Sequence, residues 1–283
     1  MTQPLITIIG ANGMLGTAWR KLLDARGLGY AAVDYPAIDI TSAASIAQHL
    51  TGPGAVVNCA AYTDVDGAEA NLDPAMAVNA TAVGLLAARC KEVGSTLVHY
   101  STDYVFNGRA TAPYPVDAPH DPVNAYGRSK AAGEQALFDS GAKFLLLRTS
   151  WLYAPWGKNF VLTMLNLTKT KPKLLVVDDQ RGRPTSAEHL AATSLALLDK
   201  DATGTLHVTD GGECTWHGFT VEIARLAGHT ACEVAPCSSD QYPRPAVRPA
   251  YSVLDLGPTE QIVGPMPRWQ DNLAKVVAAA RGA

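Results

Sequence analysis

The chain has 283 residues, 47% of them apolar and 17% charged, with a net charge of −3 at pH 7. That length supports one large core, or a large domain with a smaller one attached, and the composition is that of an ordinary globular protein. The slight negative charge gives no reason to expect nucleic acid or an anionic membrane as a partner. The first apolar stretch is short and runs into glycines, so no signal peptide is expected. No stretch approaches the roughly 18 apolar residues of a membrane span. Five scattered cysteines, Cys59, Cys90, Cys214, Cys232 and Cys237, form no Cys-x-x-Cys pair. They indicate neither a disulfide framework nor a zinc knuckle, and a reducing cytoplasm fits them best. The histidines show no metal spacing, and no metal ligand is assigned.

Residues 1–150 alternate short apolar runs with helical patterns. Strands are expected at 5–9, 30–34, 55–58, 96–101 and 144–149, each nearly continuously apolar, as for strands buried on both faces. Helices are expected over 14–25, 42–50, 74–93 and 125–140. This alternation predicts an α/β fold of Rossmann type, a doubly wound parallel sheet with helices on both sides. Right-handed crossovers put the C-terminal ends of the strands on one edge, where open α/β sheets bind ligands. Gly10, Asp34, Asn58, Ser101 and Thr149 fall there. After Trp151 the pattern loosens. Strands at 174–177 and 205–208 alternate with helices near 159–167, 187–198 and 215–226. Prolines crowd the stretch from Pro236 to Pro267, which reads as extended surface loop and a wall over a ligand. A last helix is expected over about 268–281. The division that follows is a first domain over 1–150 and a smaller C-terminal α/β domain over 151–283, some of whose segments return to the first.

Gly10-x-x-Gly13-x-x-Gly16 follows a strand and opens a helix, the context that gives such a pattern meaning. Gly10 permits the tight turn, Gly13 lets backbone N–H groups approach a pyrophosphate, and Gly16 lets the helix pack close on the sheet. The helix N-terminus adds partial positive charge for phosphates. Asp34 ends the second strand, where a carboxylate can accept from adenosine ribose hydroxyls and repel a 2′-phosphate. Its segment holds no arginine, which favours NADH over NADPH; a surface-turn aspartate beside Pro36 is the competing reading. Asp39 and Ile40 can flank an adenine.

Thr102, Tyr126 and Lys130 carry the chemistry. A free tyrosine has a pKa near 10. Lys130, at i+4 on the same helical face, brings an ammonium that would lower it and could also hold a nicotinamide ribose. Thr102, at the C-terminal end of the fourth strand, can hydrogen-bond a carbonyl oxygen. These are the parts for moving a hydride onto a carbon–oxygen centre with one proton. Arg244 and Arg248, each beside prolines, either clamp a diphosphate bidentately or are solvated loop charges. Trp151 either stacks on a sugar or belongs to the core.

The glycine spacing resembles the extended short-chain dehydrogenase/reductase superfamily. Dehydratases that resemble it carry Thr-Asp-Glu where this chain has Thr102-Asp103-Tyr104, so the base needed to eliminate water is missing. The resemblance then narrows. Asn58-Cys-Ala-Ala-Tyr-Thr-Asp-Val-Asp, Tyr100-Ser-Thr-Asp-Tyr-Val-Phe-Asn-Gly, Tyr126-Gly-Arg-Ser-Lys, Arg148-Thr-Ser-Trp-Leu-Tyr, Gly157-Lys-Asn-Phe, Asp179-Gln-x-Gly-x-Pro-Thr and Arg248-Pro are similar to the dTDP-4-dehydrorhamnose reductase family, nearly end to end. That resemblance implies reduction of dTDP-4-dehydro-L-rhamnose to dTDP-L-rhamnose with NADPH or NADH. It implies a Rossmann domain and a smaller domain that grips the nucleotide sugar. By motif, Gly13, Met14, Leu15, Asp34, Asp39, Ile40, Ala61, Tyr62 and Thr63 would contact the cofactor, with Gly10, Gly16, Tyr126 and Lys130. Thr102, Asp103, Trp151, Asn159 and Arg248 would contact the substrate, and Tyr126 would give the proton. Some relatives form dimers through Mg2+ held by glutamates. Glu188 can match one of these, but Arg268-Trp-Gln-Asp departs from the Trp-Glu of relatives, so a homodimer here is not expected to be metal-bridged. The alternatives are a reductase or epimerase of another nucleotide-linked keto-sugar, or a non-catalytic subunit like the regulatory subunit of methionine adenosyltransferase.

Overall fold

The computed structural model describes residues 5–282. From the N-terminus, β1 (Ile6–Ile9) leads to α1 (Met14–Arg26), β2 (Tyr30–Val33), α2 (Ala43–His49) and β3 (Ala55–Asn58). Two short helices, α3 (Gly67–Ala70) and α4 (Leu72–Met76), run through a π-turn at Ala77–Thr81 into α5 (Ala82–Val93). β4 (Thr96–Thr102), a 3-10 turn at Asp103–Val105, α6 (Ala125–Asp139) and β5 (Phe144–Thr149) follow. The second half holds β6 (Leu152–Tyr153), α7 (Phe160–Thr170), β7 (Lys173–Val177), β8 (Arg181–Gly182), β9 (Thr185–Ser186), α8 (Ala187–Asp199) and β10 (Gly204–His207). It ends with β11 (Cys214–Thr215), α9 (Trp216–Ala227), β12 (Glu233–Cys237), α10 (Gly257–Val263) and α11 (Trp269–Arg281).

The central sheet has six parallel strands in the order β10-β5-β4-β3-β1-β2. Successive strands step from β1 outward to β2, then back across to β3 and on to β10. The direction reverses between β1 and β3, the switch point at which such sheets open a crevice. β10 comes from the second half of the chain yet pairs with β5, residue for residue from Gly204 with Leu145 to His207 with Arg148. One face of the sheet is covered by α1 and α8, whose Leu15, Trp19, Leu23, Leu190 and Leu195 meet Ile8, Val57, Val98 and Leu147. On the other face Ile46, Leu86, Leu137 and their neighbours meet Ile9, Val56, Leu97 and Leu146. A separate core, with Tyr153, Val161, Phe219, Ile223, Trp269 and Leu273, holds α7, α9 and α11 together.

Helix starts follow capping chemistry. Ser42, Asn124, Asn159 and Thr215 each accept a backbone N–H from the first turn of the helix they precede, which answers a donor the helix leaves unpaired. The single helix expected over 74–93 is instead broken by the π-turn. Asn79 in that turn is buried, and its amide accepts from Tyr62 N and donates to Tyr62 O and Ser129 Oγ. Three hydrogen bonds to other segments offset the irregular ladder, and inserted turns of this kind concentrate at functional sites. The proline-rich stretch is not loop throughout. Its first residues belong to β12, paired with β7 in a two-stranded sheet where Pro236 is tolerated, and α10 carries a proline in its first turn. Among the described residues, no helix is long and apolar enough to cross a membrane.

Gly16 and Gly13 differ in a testable way. A Cβ on Gly16 would run into Gly10 O and Ala11 Cα, all backbone, so neither side can yield cheaply. On Gly13, with φ −68°, a Cβ would meet only Gly10 O, at 3.3 Å. Overpacking costs about 1–3 kcal/mol. Gly16→Ala should therefore lower the unfolding free energy from urea titration by that much with the slope unchanged, while Gly13→Ala stays within about 1 kcal/mol of the parent.

Candidate active site

A cavity of about 1110 Å3 runs along the C-terminal edge of the sheet, across the switch point. At one end lies the turn from β1 to α1. Gly10 takes φ +74°, and a Cβ there would sit 2.6 Å from Ala60 N, so only glycine lets β1 and the end of β3 come this close. Gly10, Gly13, Met14 and Leu15 line the cavity; Gly16 lies behind them, against the sheet. No side chain caps α1 and its first turn holds no acidic residue. Its free N–H groups and the helix dipole suit a phosphate.

Asp34 lines the same end. Its Oδ2 accepts from Asn12 N at 2.7 Å and its Oδ1 from Tyr35 N at 2.8 Å. The arginine missing from its own segment arrives from α1, where Arg20 reaches Asn12 Oδ1 at 3.4 Å. Asp39, Ile40, Ala61 and Thr63 complete this part of the lining. Hydrogen bonds from the Thr41 hydroxyl and N–H hold the Asp39 carboxyl below its usual range. Tyr62 is outside the lining; its backbone is clasped by Asn79 and its side chain, like that of Tyr126, packs against Ala68, Ala75 and Ala125.

The other end holds the reactive groups. Thr102 and Asp103, at the end of β4, and Tyr126 and Lys130, on the first turns of α6, all line the cavity. Asn124 caps that helix, and Glu69 Oε1 accepts from Ala125 N at 2.7 Å, so the helix start is held from two sides. Thr102 Oγ1 donates to Asp103 Oδ1 at 2.9 Å and accepts from Tyr104 N. The Tyr104 ring stands edge-on to Tyr126, centroids 6.0 Å apart. Burial raises Tyr126 above an ordinary tyrosine, the Asp103 carboxylate adds to this, and the Thr102 hydroxyl opposes it. The phenol keeps its proton. The expectation that Lys130 lowers the phenol pKa is not met. The Lys130 amine turns instead to Tyr100 O, at 2.6 Å, and burial brings it down to about 8 against the pull of Glu134. Burial pushes the Asp103 carboxyl up to about 6. Asp103 and Ser101 both line this end; the Ser252 hydroxyl as well as that of Thr102 works against the rise at Asp103, and the Ser101 hydroxyl helps hold Glu134 ionised.

Trp151 lines the cavity with φ +48°, a left-handed backbone that a tryptophan rarely adopts. Its ring stacks on Trp216, centroids 3.5 Å apart, and a Cβ on Gly182 would strike it. Trp216 is a lining residue that nothing in the sequence singled out, because its partner lies 65 positions away. Asn159 is not brought to the cavity; its amide caps α7 and donates to Ala154 O and Trp156 O. Arg248 is also outside the lining. It pairs with Asp66 at 2.9 Å, and Arg244 takes the other oxygen of the same carboxylate at 3.0 Å. No residue from 236–267 lines the cavity, so the proline-rich stretch is not its wall.

The family described as RmlD substrate binding domain matches residues 4–281, and the chain belongs to it. A dTDP-4-dehydrorhamnose reductase of Streptomyces griseus is 43% identical over 266 residues, 89% of this chain and 86% of the relative. The crystal structure of a dTDP-4-dehydrorhamnose reductase from Clostridium acetobutylicum is similar with a TM-score of 0.94, at 38% identity, covering 98% of this chain and 99% of that one. The same enzyme from Bacillus anthracis, solved in complex with NADP, has a TM-score of 0.93 at 35% identity, with 98% and 99% covered.

Asp103 offers a test of the site's electrostatics. Its folded pKa, about 6, lies above the unfolded value of 3.8. The stability tied to its protonated form is complete below the unfolded pKa and is lost as pH rises through the folded one. Asp103→Asn should therefore be more stable than the parent at pH 8, by up to about 3 kcal/mol, and the gap should close near pH 3.5. Urea titrations at the two pH values measure it.

Proposed function

We propose that this family member reduces the 4-keto group of dTDP-4-dehydro-L-rhamnose to dTDP-L-rhamnose, with NADPH or NADH as the hydride source. The observation that carries the reading is the meeting of Thr102, Asp103, Tyr126 and Lys130 at one end of a cavity whose other end is a glycine turn and an uncapped helix N-terminus. A cavity of this size exceeds that of most single-ligand pockets, about 300–1,000 Å3, and has room for a dinucleotide and a nucleotide sugar together.

The glycine turn and the N–H groups of Met14 and Leu15 would hold the pyrophosphate, with Asp34 at the adenosine ribose and Asp39, Ile40, Ala61 and Thr63 beside it. The dinucleotide, when bound, supplies the hydride. Tyr126 supplies the proton. Its raised pKa keeps the phenol protonated at neutral pH, which is the state a donor needs, and an alkoxide forming on the substrate oxygen is the stronger base. Thr102 holds that oxygen. Asp103, already bonded through Oδ1, offers Oδ2 to a sugar hydroxyl. Lys130 is the next proton-bearing group along α6. In this reading the segments after residue 150 that stand outside the central sheet form the sugar-nucleotide side, with Trp151 and Trp216 as its aromatic floor.

Tyr126→Phe tests the reading. General acid catalysis contributes about 10²–10⁴-fold, so kcat for keto-sugar reduction should fall by that factor while dinucleotide affinity and the circular dichroism spectrum stay unchanged. Parent-like turnover by the variant would end the assignment.

Cofactor choice gives a second test. The Asp34 carboxylate favours ribose hydroxyls and repels a 2′-phosphate. Asp34→Ala should raise kcat/KM with NADPH relative to NADH, by less at high salt because screening weakens an exposed charge. An unchanged ratio would remove Asp34 from the ribose site.

A further inference from the structure

The cavity is lined by three carboxylates, Asp34, Asp39 and Asp103, and by two lysines, Lys130 and Lys158. Lys130 is buried at the reactive end. At the opposite end the glycine turn offers a pyrophosphate its backbone N–H groups and a helix dipole, with no acidic residue in the first turn of α1. Two cations of α1 stand near that turn, but neither lines the cavity. Arg20 ends on Asn12 Oδ1, and Lys21 lies over the Trp156 ring, 4.1 Å from its centroid. Among the described residues Lys158 is the remaining cation of the lining. It is exposed, and no salt bridge of the described residues holds it.

The loop that carries Lys158, residues 154–159 between β6 and α7, is seated on α1. The Trp156 side chain packs against the core that α1 covers, and its Nε1 donates to Met14 O at 3.1 Å. Asn159 Nδ2 donates to Ala154 O at 2.9 Å and to Trp156 O at 3.2 Å, which folds the loop on itself. Gly157 takes φ +71°, and a Cβ there would meet nothing within 4 Å. Glycine is needed at this position for the left-handed backbone and not for space. Anchored indole, left-handed turn and lysine follow one another in the chain, so Lys158 leaves a fixed point and enters the lining.

We propose that Lys158 is a cofactor-binding residue whose ammonium pairs with the pyrophosphate of the bound dinucleotide, and that Trp156 positions it there. The proposal rests on the reading of the cavity as a dinucleotide site. A nucleotide sugar carries a diphosphate too, and the same charge would suit it. The anchor decides between them. The loop is tied to the carbonyl of Met14, the residue whose N–H holds the dinucleotide's pyrophosphate in that reading. Two halves of the chain then meet on one anion, with backbone N–H groups from α1 and a point charge from the loop before α7.

Binding measurements test this without turnover. Lys158 is exposed, so Lys158→Gln leaves the core alone. It should raise Kd about tenfold for NADH, followed by fluorescence, and for ADP, followed by competition. Adenosine, which lacks the phosphates, should bind the variant and the parent equally by ligand-observed NMR. The salt dependence of NADH binding should flatten, because one screened contact is gone, and Lys158→Arg should keep most of the parent's affinity. Trp156→Phe, which loses the bond to Met14 O, should weaken NADH binding in the parent and have little effect in Lys158→Gln. Unchanged ADP affinity in Lys158→Gln would overturn the proposal, and so would an equal loss for adenosine. A loss confined to dTDP would place the lysine on the nucleotide sugar and overturn it as well. Equal effects of Trp156→Phe in both backgrounds would remove the positioning role. A parent that binds no dinucleotide would end the functional reading along with the proposal, whereas a parent that binds NADH tightly with Lys158 indifferent would end the proposal alone.

Discussion

The buried pair of Glu134 and Arg148 decides where the reactive helix sits. Glu134 is fully buried and Arg148 nearly so. Arg148 Nε and Nη2 fork onto the carboxylate, at 3.0 Å to Oε1 and 2.6 Å to Oε2, and His120 Nε2 adds a contact at 2.8 Å. Arg148 Nη1 donates to Val116 O, and the guanidinium lies over the Phe106 ring. Burial by itself would raise the Glu134 pKa, but the bonds from His120 and Arg148 outweigh it and leave the carboxyl at about 2. Two ions taken out of water cost several kcal/mol each unless every donor and acceptor is answered. Here they are answered only in one register of α6 against β5. A slide of one residue along the helix would strand a charge in apolar surroundings. The same register puts Gly133 against Asn79 O and Gly127 against Tyr104 O, where no side chain would fit. Tyr126 and Lys130 inherit their places from these contacts.

Burial then sorts the acid–base groups without any help from strong ion pairs at the reacting end. It raises a phenol, because the phenolate is the charged form, and lowers an amine, because the ammonium is. Tyr126 and Lys130 move in these opposite directions within one helical turn. The tyrosine stays a donor across the neutral range, while the lysine titrates near pH 8. Asp103, moved up to about 6, keeps its charge at neutral pH and so reinforces the proton on Tyr126. A proton donor beside a carboxylate and an amine that titrates near working pH is a different arrangement from a phenol activated by an ammonium. The difference follows from where Lys130 finds its acceptor, Tyr100 O.

Much of this was legible in the order of the residues. Short apolar runs marked β1 to β5; β1, β3, β4 and most of β5 are covered on both faces as such runs require, whereas β2, at the edge of the sheet, is only half-buried. The glycine spacing marked the turn, and Thr102, Tyr126 and Lys130 marked the reacting end, because strand ends and helix starts are local matters. The rest depends on partners far along the chain. Nothing around 204–207 says that this strand pairs with β5 rather than with its own neighbours. Asn159 reads like a site residue and is a helix cap. The Lys130–Tyr100 bond joins a side chain to a backbone oxygen, which no motif displays. The π-turn is invisible for the same reason, since Asn79 is held by Tyr62 and Ser129 rather than by its own helix. Asn58 and His99 look like ordinary strand residues until register places the end of β3 beside the middle of β4.

The second half of the chain reaches the cavity through few side chains, and two of them, Trp151 and Trp216, are secured by their contact with each other. Trp151 is forced into φ +48° at the end of β5, a conformation that costs on the order of 1–3 kcal/mol. The stack on Trp216 and the bond from Thr185 N to Trp151 O hold it there. Arg244 and Arg248 behave in a related way. They share the single carboxylate of Asp66, whose neighbour Val65 lines the cavity. Two guanidinium groups on one carboxylate leave a net positive charge, and each spends only one of its nitrogens on Asp66. A guanidinium fork anchored in this way loses little freedom on meeting an anion, because most of its rotamer freedom is already gone. The loop that carries it is tied as well, by Asn124 Nδ2 to Val247 O and by the close seat of Pro249 on Gly108. Asn124 is the cap of α6. One residue therefore starts the helix of Tyr126 and holds the arginine loop, so the two are tied through Asn124.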